Sequence, residues 1–351
     1  MAILVTGGAG FIGSAFVHAW CSCSDEPIVT LDLLTYAGNL DNLSGLPAAA
    51  KHQFVRGDIR DGRLVRALLE EVRPRAVVHC AAETHVDRSI KSADAFISTN
   101  VAGTAVLLEA CSEHLAEGGR DSDAGFRFLH VSTDEVFGSL GPQEAAFHRE
   151  SPYRPNSPYA ASKAAADHLV RAWHVTHGLA TLTTHCSNNY GPRQFPEKLI
   201  PLCIARAIAG ETIPVYGDGL QVRDWLHVED HCAALRAVLE LGSPGATYLI
   251  GGHGECRNLD LVHTLCTALD ESRPDGAPHA RLIRFVEDRP GHDRRYAIDA
   301  STTRDELGWS PRHALLDGLR ATVRWYLDHP AWMERIRSGA YAAWVKEQYG
   351  P

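Results

Sequence analysis

The stretch Ile3-Leu4-Val5-Thr6-Gly7-Gly8-Ala9-Gly10-Phe11-Ile12-Gly13 decides the fold of this chain. Its first four residues form a short apolar, β-branched run, the pattern of a strand buried on both faces. From Phe11 to Trp20 the pattern is helical. The glycines between permit a tight turn and let backbone N–H groups approach a pyrophosphate at the helix N-terminus. A glycine cluster alone is weak, since any strand-to-helix turn favours glycine. Asp32 raises it: it ends the next strand candidate, about twenty residues on, where an acid bonds both ribose hydroxyls and repels a 2′-phosphate. The expected cofactor is therefore NAD rather than NADP. The plain structural alternative is that Asp32 only caps the following turn.

Working outward, strand candidates recur at Ile28–Asp32, Gln53–Arg56, Ala76–Cys80, Arg127–Ser132 and Ala180–Cys186. Helical patterns lie between them at Leu64–Val72, Ala93–Ser112 and Pro158–His177. Such alternation predicts an α/β fold, a doubly wound parallel sheet of Rossmann type covered on both faces. Two further strand ends extend the cofactor site. Asp58 and Ile59 follow the third strand, where the carboxylate reaches an adenine amine, and Ala81-Ala82 follow the fourth, where small residues let a dinucleotide lie close. Gly7, Gly10, Phe11, Ile12 and Gly13 complete the expected cofactor contacts.

After Cys186 the texture changes. Asn188-Asn189-Tyr190-Gly191-Pro192 is a dense turn signal, followed by a helix over Lys198–Ala209 and mixed short elements. Two interleaved regions are expected: residues 1–186 as the NAD-binding domain, with a return strand at Thr247–Ile250, and residues 187–351 as a smaller mixed α/β substrate region.

Composition excludes other classes. The 351 residues are 45% hydrophobic and 22% charged, which describes a globular protein and not a disordered one. A net charge of −9 argues against a nucleic-acid or membrane-surface binder. Nine widely spaced cysteines without a C-x-x-C pair fit a reduced interior. No signal peptide is evident and no uninterrupted apolar stretch would span a bilayer, so a soluble cytoplasmic protein is expected. Of 34 basic residues only five are lysines, Lys51, Lys91, Lys163, Lys198 and Lys346. Composition bias accounts for their scarcity; each survivor still offers a compact, tunable charge that Arg cannot copy.

Two of the five fall in chemically suggestive places. Tyr159-Ala160-Ala161-Ser162-Lys163 puts a phenol and an ammonium at i and i+4 on one helix face. The ammonium, helped by the positive charge of oxidised nicotinamide, is expected to favour tyrosinate, making Tyr159 a base for an alcohol proton. Ser132-Thr133 at a strand end supplies a hydroxyl for the same substrate oxygen. This Thr–Tyr–Lys set resembles the short-chain dehydrogenase/reductase superfamily. Asp134 and Glu135 follow directly, and a simple alcohol dehydrogenase needs neither. Paired carboxyls in different environments divide into an acid and a base, as water elimination beside a new ketone requires.

The motifs Ser132-Thr133-Asp134-Glu135-Val136, Ser157-Pro158-Tyr159-x3-Lys163 and Glu83-Thr84-His85-Val86-Asp87-Arg88-Ser89 resemble the dTDP-glucose 4,6-dehydratase family. So do Tyr36-Ala37-Gly38-Asn39-Leu40, Phe195-Pro196-Glu197-Lys198, Arg223-Asp224-Trp225 and Asp288-Arg289-Pro290-Gly291-His292-Asp293-Arg294-Arg295, and the likeness runs to Tyr349-Gly350. The resemblance implies that Tyr159 deprotonates the glucosyl 4-hydroxyl while hydride passes from C4 to NAD. Glu135 then takes the C5 proton, Asp134 protonates the departing C6 hydroxyl, and hydride returns to C6. It implies substrate contacts at His85 and Thr133, and diphosphate or nucleotide contacts at Asn188, Lys198, Arg223, Asn258 and Arg289. It also implies a homodimer through Ala93–Ser112 and Pro158–His177. Phe137 departs from the family's usual Tyr, and the segment from Gly138 to Ser157 is shorter than in some members. His227-x3-His231 with Glu229 between has metal-ligand spacing but lacks H-E-x-x-H order, so no metal is expected. The rival readings are a UDP-hexose 4-epimerase, a UDP-glucuronate decarboxylase or a related UDP-sugar dehydratase, and, in another class, a non-catalytic NAD-sensing scaffold.

Overall fold

The computed structural model describes residues 2–118 and 125–337; Lys346 and the Tyr349-Gly350 end of the family resemblance lie outside the described residues. Seven strands form the main sheet: β1 (Ile3–Thr6), β2 (Ile28–Asp32), β3 (His52–Arg56), β4 (Ala76–His79), β5 (Arg127–Thr133), β6 (Thr181–Cys186) and β7 (Thr247–Ile250). Their order is β7-β6-β5-β4-β1-β2-β3, and every pair is parallel. The order reverses between β1 and β4, the switch point where a doubly wound sheet opens a crevice at its carboxyl edge.

Alternation along each strand feeds two cores. Ile3, Val5 and Val78 join Phe16 and Trp20 of α1 (Phe11–Cys23) on one face. Leu4 and Val77 join Leu68 and Leu69 of α2 (Gly62–Val72), Leu107 of α3 (Thr104–Gly118) and Val170 of α4 (Pro158–His177) on the other. Each such large apolar side chain contributes roughly 1.5–3 kcal/mol by leaving water. Local signals set the helix ends. Ser157 caps α4, its hydroxyl accepting from Ala160 N–H at 3.1 Å; Pro158 follows, and Gly178 at φ +72° ends the helix. Asp61 caps α2 through Arg63 and Leu64 N–H, so that helix starts two residues before the predicted Leu64.

The helix expected over Ala93–Ser112 is not a single regular one. A short turn at Asp94–Phe96 leads into a π-helical stretch, Ile97–Gly103, before α3 begins. Asn100 explains the widening. Turned inward, its amide accepts from Glu83 N–H at 2.8 Å and donates to Glu83 O and to Ser162 Oγ at 3.0 and 2.9 Å. By length and composition the run Asp94–Glu117 would suffice to cross a membrane; in this fold it packs against α2 and α4 and helps cover the sheet.

After Cys186 the chain leaves the sheet, forms α5 (Leu199–Ala209), and returns through α6 (Val228–Leu241), which packs on α1, and β7. It then leaves again for α7 (Asn258–Ser272) and α8 (Leu315–Asp328). Ile204, Leu265 and Tyr326 from α5, α7 and α8 share a third core. Two short strand pairs follow, and the first brings Asn188 and Asn189 to the crevice. Asn188–Tyr190 lies parallel to Trp225–His227, and Val222–Arg223 antiparallel to Cys256–Arg257. All nine cysteines are free thiols.

Candidate active site

One cavity of about 370 Å³ runs along the carboxyl edge of the sheet. Its wall includes Gly7, Gly10, Phe11, Ile12, Gly13, Asp32, Asp58, Ile59, Ala81 and Ala82, the residues singled out at four strand ends. The turn is close-packed. A Cβ on Gly13 would stand 2.2 Å from Gly7 O, and one on Gly7, at φ +70°, would stand 2.6 Å from Ala81 N. Gly10 caps α1 without a side chain, leaving first-turn amides open to the cavity. That cradle and its positive helix end suit a pyrophosphate. Asp32 caps the turn, its Oδ2 accepting from Ala9 N–H at 2.9 Å and its Oδ1 from Leu34 N–H at 2.8 Å, and it also lines the cavity. Burial raises its pKa against those two bonds. Asp58 is engaged by Arg60 at 2.6 Å, and that hydrogen bond lowers its pKa.

Thr133, Asp134, Glu135, Tyr159 and Lys163 line the same cavity, where the end of β5 meets the first turns of α4. In the protein alone, burial outweighs any help the lysine gives the phenol. Burial, then the nearby Glu135 and Cys186, pushes the Tyr159 pKa well above 10; only the Thr133 hydroxyl bond lowers it. The lysine does not hydrogen-bond the phenol: its Nζ donates to Val131 O at 2.9 Å and toward His130 Nε2 at 3.4 Å. An i, i+4 spacing set the two groups on one face, and the strand behind decides where the ammonium points.

The two carboxyls are driven apart. Asp134 is 1% exposed, and burial, with Glu135 and Asp224 nearby, raises its pKa well above the usual carboxylate range. Its Oδ1 accepts from the Thr133 hydroxyl at 3.3 Å, and its Oδ2 has no hydrogen-bond partner. Glu135 is also raised by burial, but Arg289, Lys198 and Arg223 pull it back toward the anion. One group is thus held as a proton donor and its neighbour is biased to accept.

Among the expected substrate contacts, Asn188 and Lys198 join the cavity wall, Lys198 donating to Thr84 O at 2.8 Å. His85, Arg223, Asn258 and Arg289 stand outside that wall. His85 caps the helix Val86–Lys91 and lies 3.6 Å from Glu197, which is in the wall. Arg223 is held by Asp293 O and Val222 O at 2.8 Å each, and Arg289 reaches Asp87 at 3.4 Å. Both guanidiniums act on Glu135 by charge. The buried side-chain amide oxygens (Oδ1) of Asn188 and Asn258 have no hydrogen-bond partner in the protein, which suits groups awaiting a polar ligand.

Glu197 is a site residue that the sequence reading passed over. It sits beside Lys198 in a quoted motif, where only the cation drew notice. Burial brings its pKa to about 7, and it accepts from the Tyr36 hydroxyl at 3.1 Å. Phe137, the residue that departs from the family pattern, packs on Phe147, Tyr153 and His185 with ring centroids 5.2, 5.4 and 4.9 Å away. The His227/His231 pairing does not form. His231 turns to Asn189 Oδ1 at 2.9 Å, and His313 instead stacks on His227 at 4.1 Å, with Glu229 beside it. That trio brings three donor atoms within 4.8 Å of one another, but at the positive end of α6, against a cation.

Comparison with known proteins places this geometry. The model of the family described as GDP-mannose 4,6 dehydratase matches residues 4–322. The dTDP-glucose 4,6-dehydratase of Xanthomonas campestris pv. campestris (strain B100) is 57% identical over 343 residues, with 96% of each chain covered. That of Salmonella typhimurium is 50% identical over 357 residues, with 99% of each covered. Among solved structures, the Streptomyces venezuelae dTDP-glucose 4,6-dehydratase DesIV, with NAD bound, superposes with a TM-score of 0.86 at 45% identity, covering 96% of this chain and 100% of that one. A Thermus thermophilus UDP-glucose 4-epimerase, also with NAD, reaches 0.81 at only 29% identity, covering 94% and 100%.

Proposed function

Given that the chain belongs to the dTDP-glucose 4,6-dehydratase family, we infer that it converts dTDP-glucose to dTDP-4-keto-6-deoxyglucose, with NAD as a cofactor that stays bound. The observation that carries this reading is the pair Asp134 and Glu135, adjacent in sequence and set to opposite proton tasks beside Tyr159. An epimerase or decarboxylase on this fold has no use for that pair.

The glycine turn, Asp32, Asp58, Ile59, Ala81, Ala82 and the open end of α1 hold NAD, which when bound accepts hydride from C4 and later delivers it to C6. Tyr159 removes the 4-hydroxyl proton while the Thr133 hydroxyl orients that oxygen. Because burial keeps the phenol protonated in the protein alone, the positive nicotinamide and Lys163 must supply the charge that releases its proton. Glu135 takes the C5 proton, made acidic by the new C4 ketone. Asp134, kept neutral, gives its proton to the leaving C6 hydroxyl. Asn188, Asn258, Lys198, Arg223 and Arg289 meet the nucleoside diphosphate, the arginines also holding Glu135 ready as an anion; His85 supports the sugar end through Glu197. The chain acts as a soluble cytoplasmic homodimer. Ile97 and Val175, 56% and 64% exposed on the two helical segments expected at the interface, support that face.

The test is direct. Purified protein mixed with dTDP-glucose is expected to release a 4-keto sugar, detected by its alkaline chromophore, and UDP-glucose to give far less. No keto product from either sugar would sink the reading.

A further inference from the structure

Behind the reaction centre lies a polar cluster that the chemistry above leaves unused. Asp167 is on α4, two turns beyond Tyr159 and one beyond Lys163, and is 4% exposed. Its Oδ2 accepts from the Ser132 hydroxyl at 3.0 Å and lies 2.9 Å from His185 Nε2, while Oδ1 lies 3.1 Å from His130 Nε2. That same His130 nitrogen is 3.4 Å from Lys163 Nζ. One imidazole nitrogen is thus flanked by the ammonium and the carboxylate.

We propose that Asp167 is a positioning residue of this reaction centre, the buried counter-ion that keeps Lys163 an ammonium and ties α4 to the ends of β5 and β6. An ammonium enclosed by the sheet is costly unless a charge answers it. The other groups around Lys163 do not serve. Among the described residues these are His79 and Cys80 at the end of β4, His130 on β5, His185 and Cys186 on β6, and Tyr159 on α4 itself. Burial holds His79 and His130 neutral and raises the Cys80, Cys186 and Tyr159 pKa values, so these five are uncharged near neutral pH, and the His185 imidazole, neutral or protonated, is no anion. Asp167 alone is pulled below its ordinary range, by His185 and His130 against the cost of burial. Its carboxylate also fixes Ser132, the residue before Thr133, so charge and alignment reach the site through one group.

The scarcity of lysine makes a direct test practical. Protein labelled at the lysine ε-carbons and loaded with NAD has five resonances to follow by NMR, and Lys163→Arg assigns one. Asp167→Asn should lower the Lys163 titration by roughly one unit or more, about a tenfold loss of proton affinity. The other four lysines should not move. Asp167→Glu should hold the transition near its original pH, and the alkaline limb of kcat/KM should follow the NMR in each case. His130→Gln removes the imidazole but leaves the carboxylate, so it should change the Lys163 transition by less than about half a unit. A Lys163 transition unmoved by Asp167→Asn, even with a lowered Tm, would overturn the proposal. If that variant does not fold, a fall of a unit or more in His130→Gln would overturn it equally. The proposal rests on the dehydratase reading for its purpose, but the NMR arm needs no turnover. Failure of the dTDP-glucose assay with a shifted lysine would therefore indict the function alone.

Discussion

Glu135 and Asp134 show how little separates a general base from a general acid when both are carboxyls on consecutive residues. Burial raises both; what divides them is the company each keeps, three cations around Glu135 and two acids beside Asp134. Glu135→Gln is nearly isosteric and removes only the basic oxygen. In heavy water, deuterium appearance at C5 and product formation should then slow together, by about 10²–10⁴-fold, the usual worth of a positioned base. Normal deuterium uptake at C5 would assign the proton to another group, with Glu135 reduced to electrostatics. The four sites outside the cavity wall teach a related lesson. Arg223 and Arg289 are felt at Glu135 through charge, so their effect does not require contact with the reacting atoms.

The βα units were open to reading because their causes are local. A four-residue apolar run, a glycine turn and an apolar helix face lie within twenty residues, and β1 and α1 begin where the pattern starts. The π-helical stretch was not legible. Its cause is Asn100 meeting Glu83 and Ser162, 17 and 62 residues away, partners that no spacing rule connects. Lys163 follows the same logic: helix periodicity placed it beside Tyr159, but Val131 and His130, some thirty residues upstream, set its direction. Where the cause is local, the consequence of a change is also sharp. Gly13 sits in the first turn of α1 with backbone, not a flexible side chain, 2.2 Å from any added Cβ. Gly13→Ala must therefore displace the turn, at about 1–3 kcal/mol for such overpacking. The expected result is a lower Tm and NAD affinity reduced by about tenfold or more, since 1.4 kcal/mol is a factor of ten. Unchanged affinity by titration would show that the turn relaxes without disturbing the cradle.

Across the whole molecule, the sites together dictate how stability depends on pH. Burial lowers the pKa of His79, His85, His130, His227, His231 and His292, with His130, His227 and His292 near 4 and His231 near 3. These groups stay neutral when folded and take up protons when unfolded below about 6.5, so stability is fully present above that pH and falls beneath it. Each contributes up to about 1.4 kcal/mol per pH unit in that window. Glu197 works in the opposite sense. Its folded pKa, raised to about 7 by burial, means the folded state holds a proton that the unfolded chain releases above 4.5. Its cost is absent in acid, grows as pH rises to about 7, and is constant beyond; at ~1.4 kcal/mol per unit it reaches about 3 kcal/mol. The histidines favour the upper pH range, and Glu197 opposes them there together with the raised Asp32, Asp134 and Glu135. Subtracting curves isolates the acid, because Glu197→Gln copies the protonated side chain at every pH. Urea unfolding of both proteins from pH 4.5 to 8 should give equal stability at the acid end. The variant should then gain progressively up to about pH 7, ending about 1–3 kcal/mol more stable. A constant difference at all pH values would mean that Glu197 keeps an ordinary carboxylate pKa, with the Arg88 guanidinium, 3.9 Å away, outweighing burial.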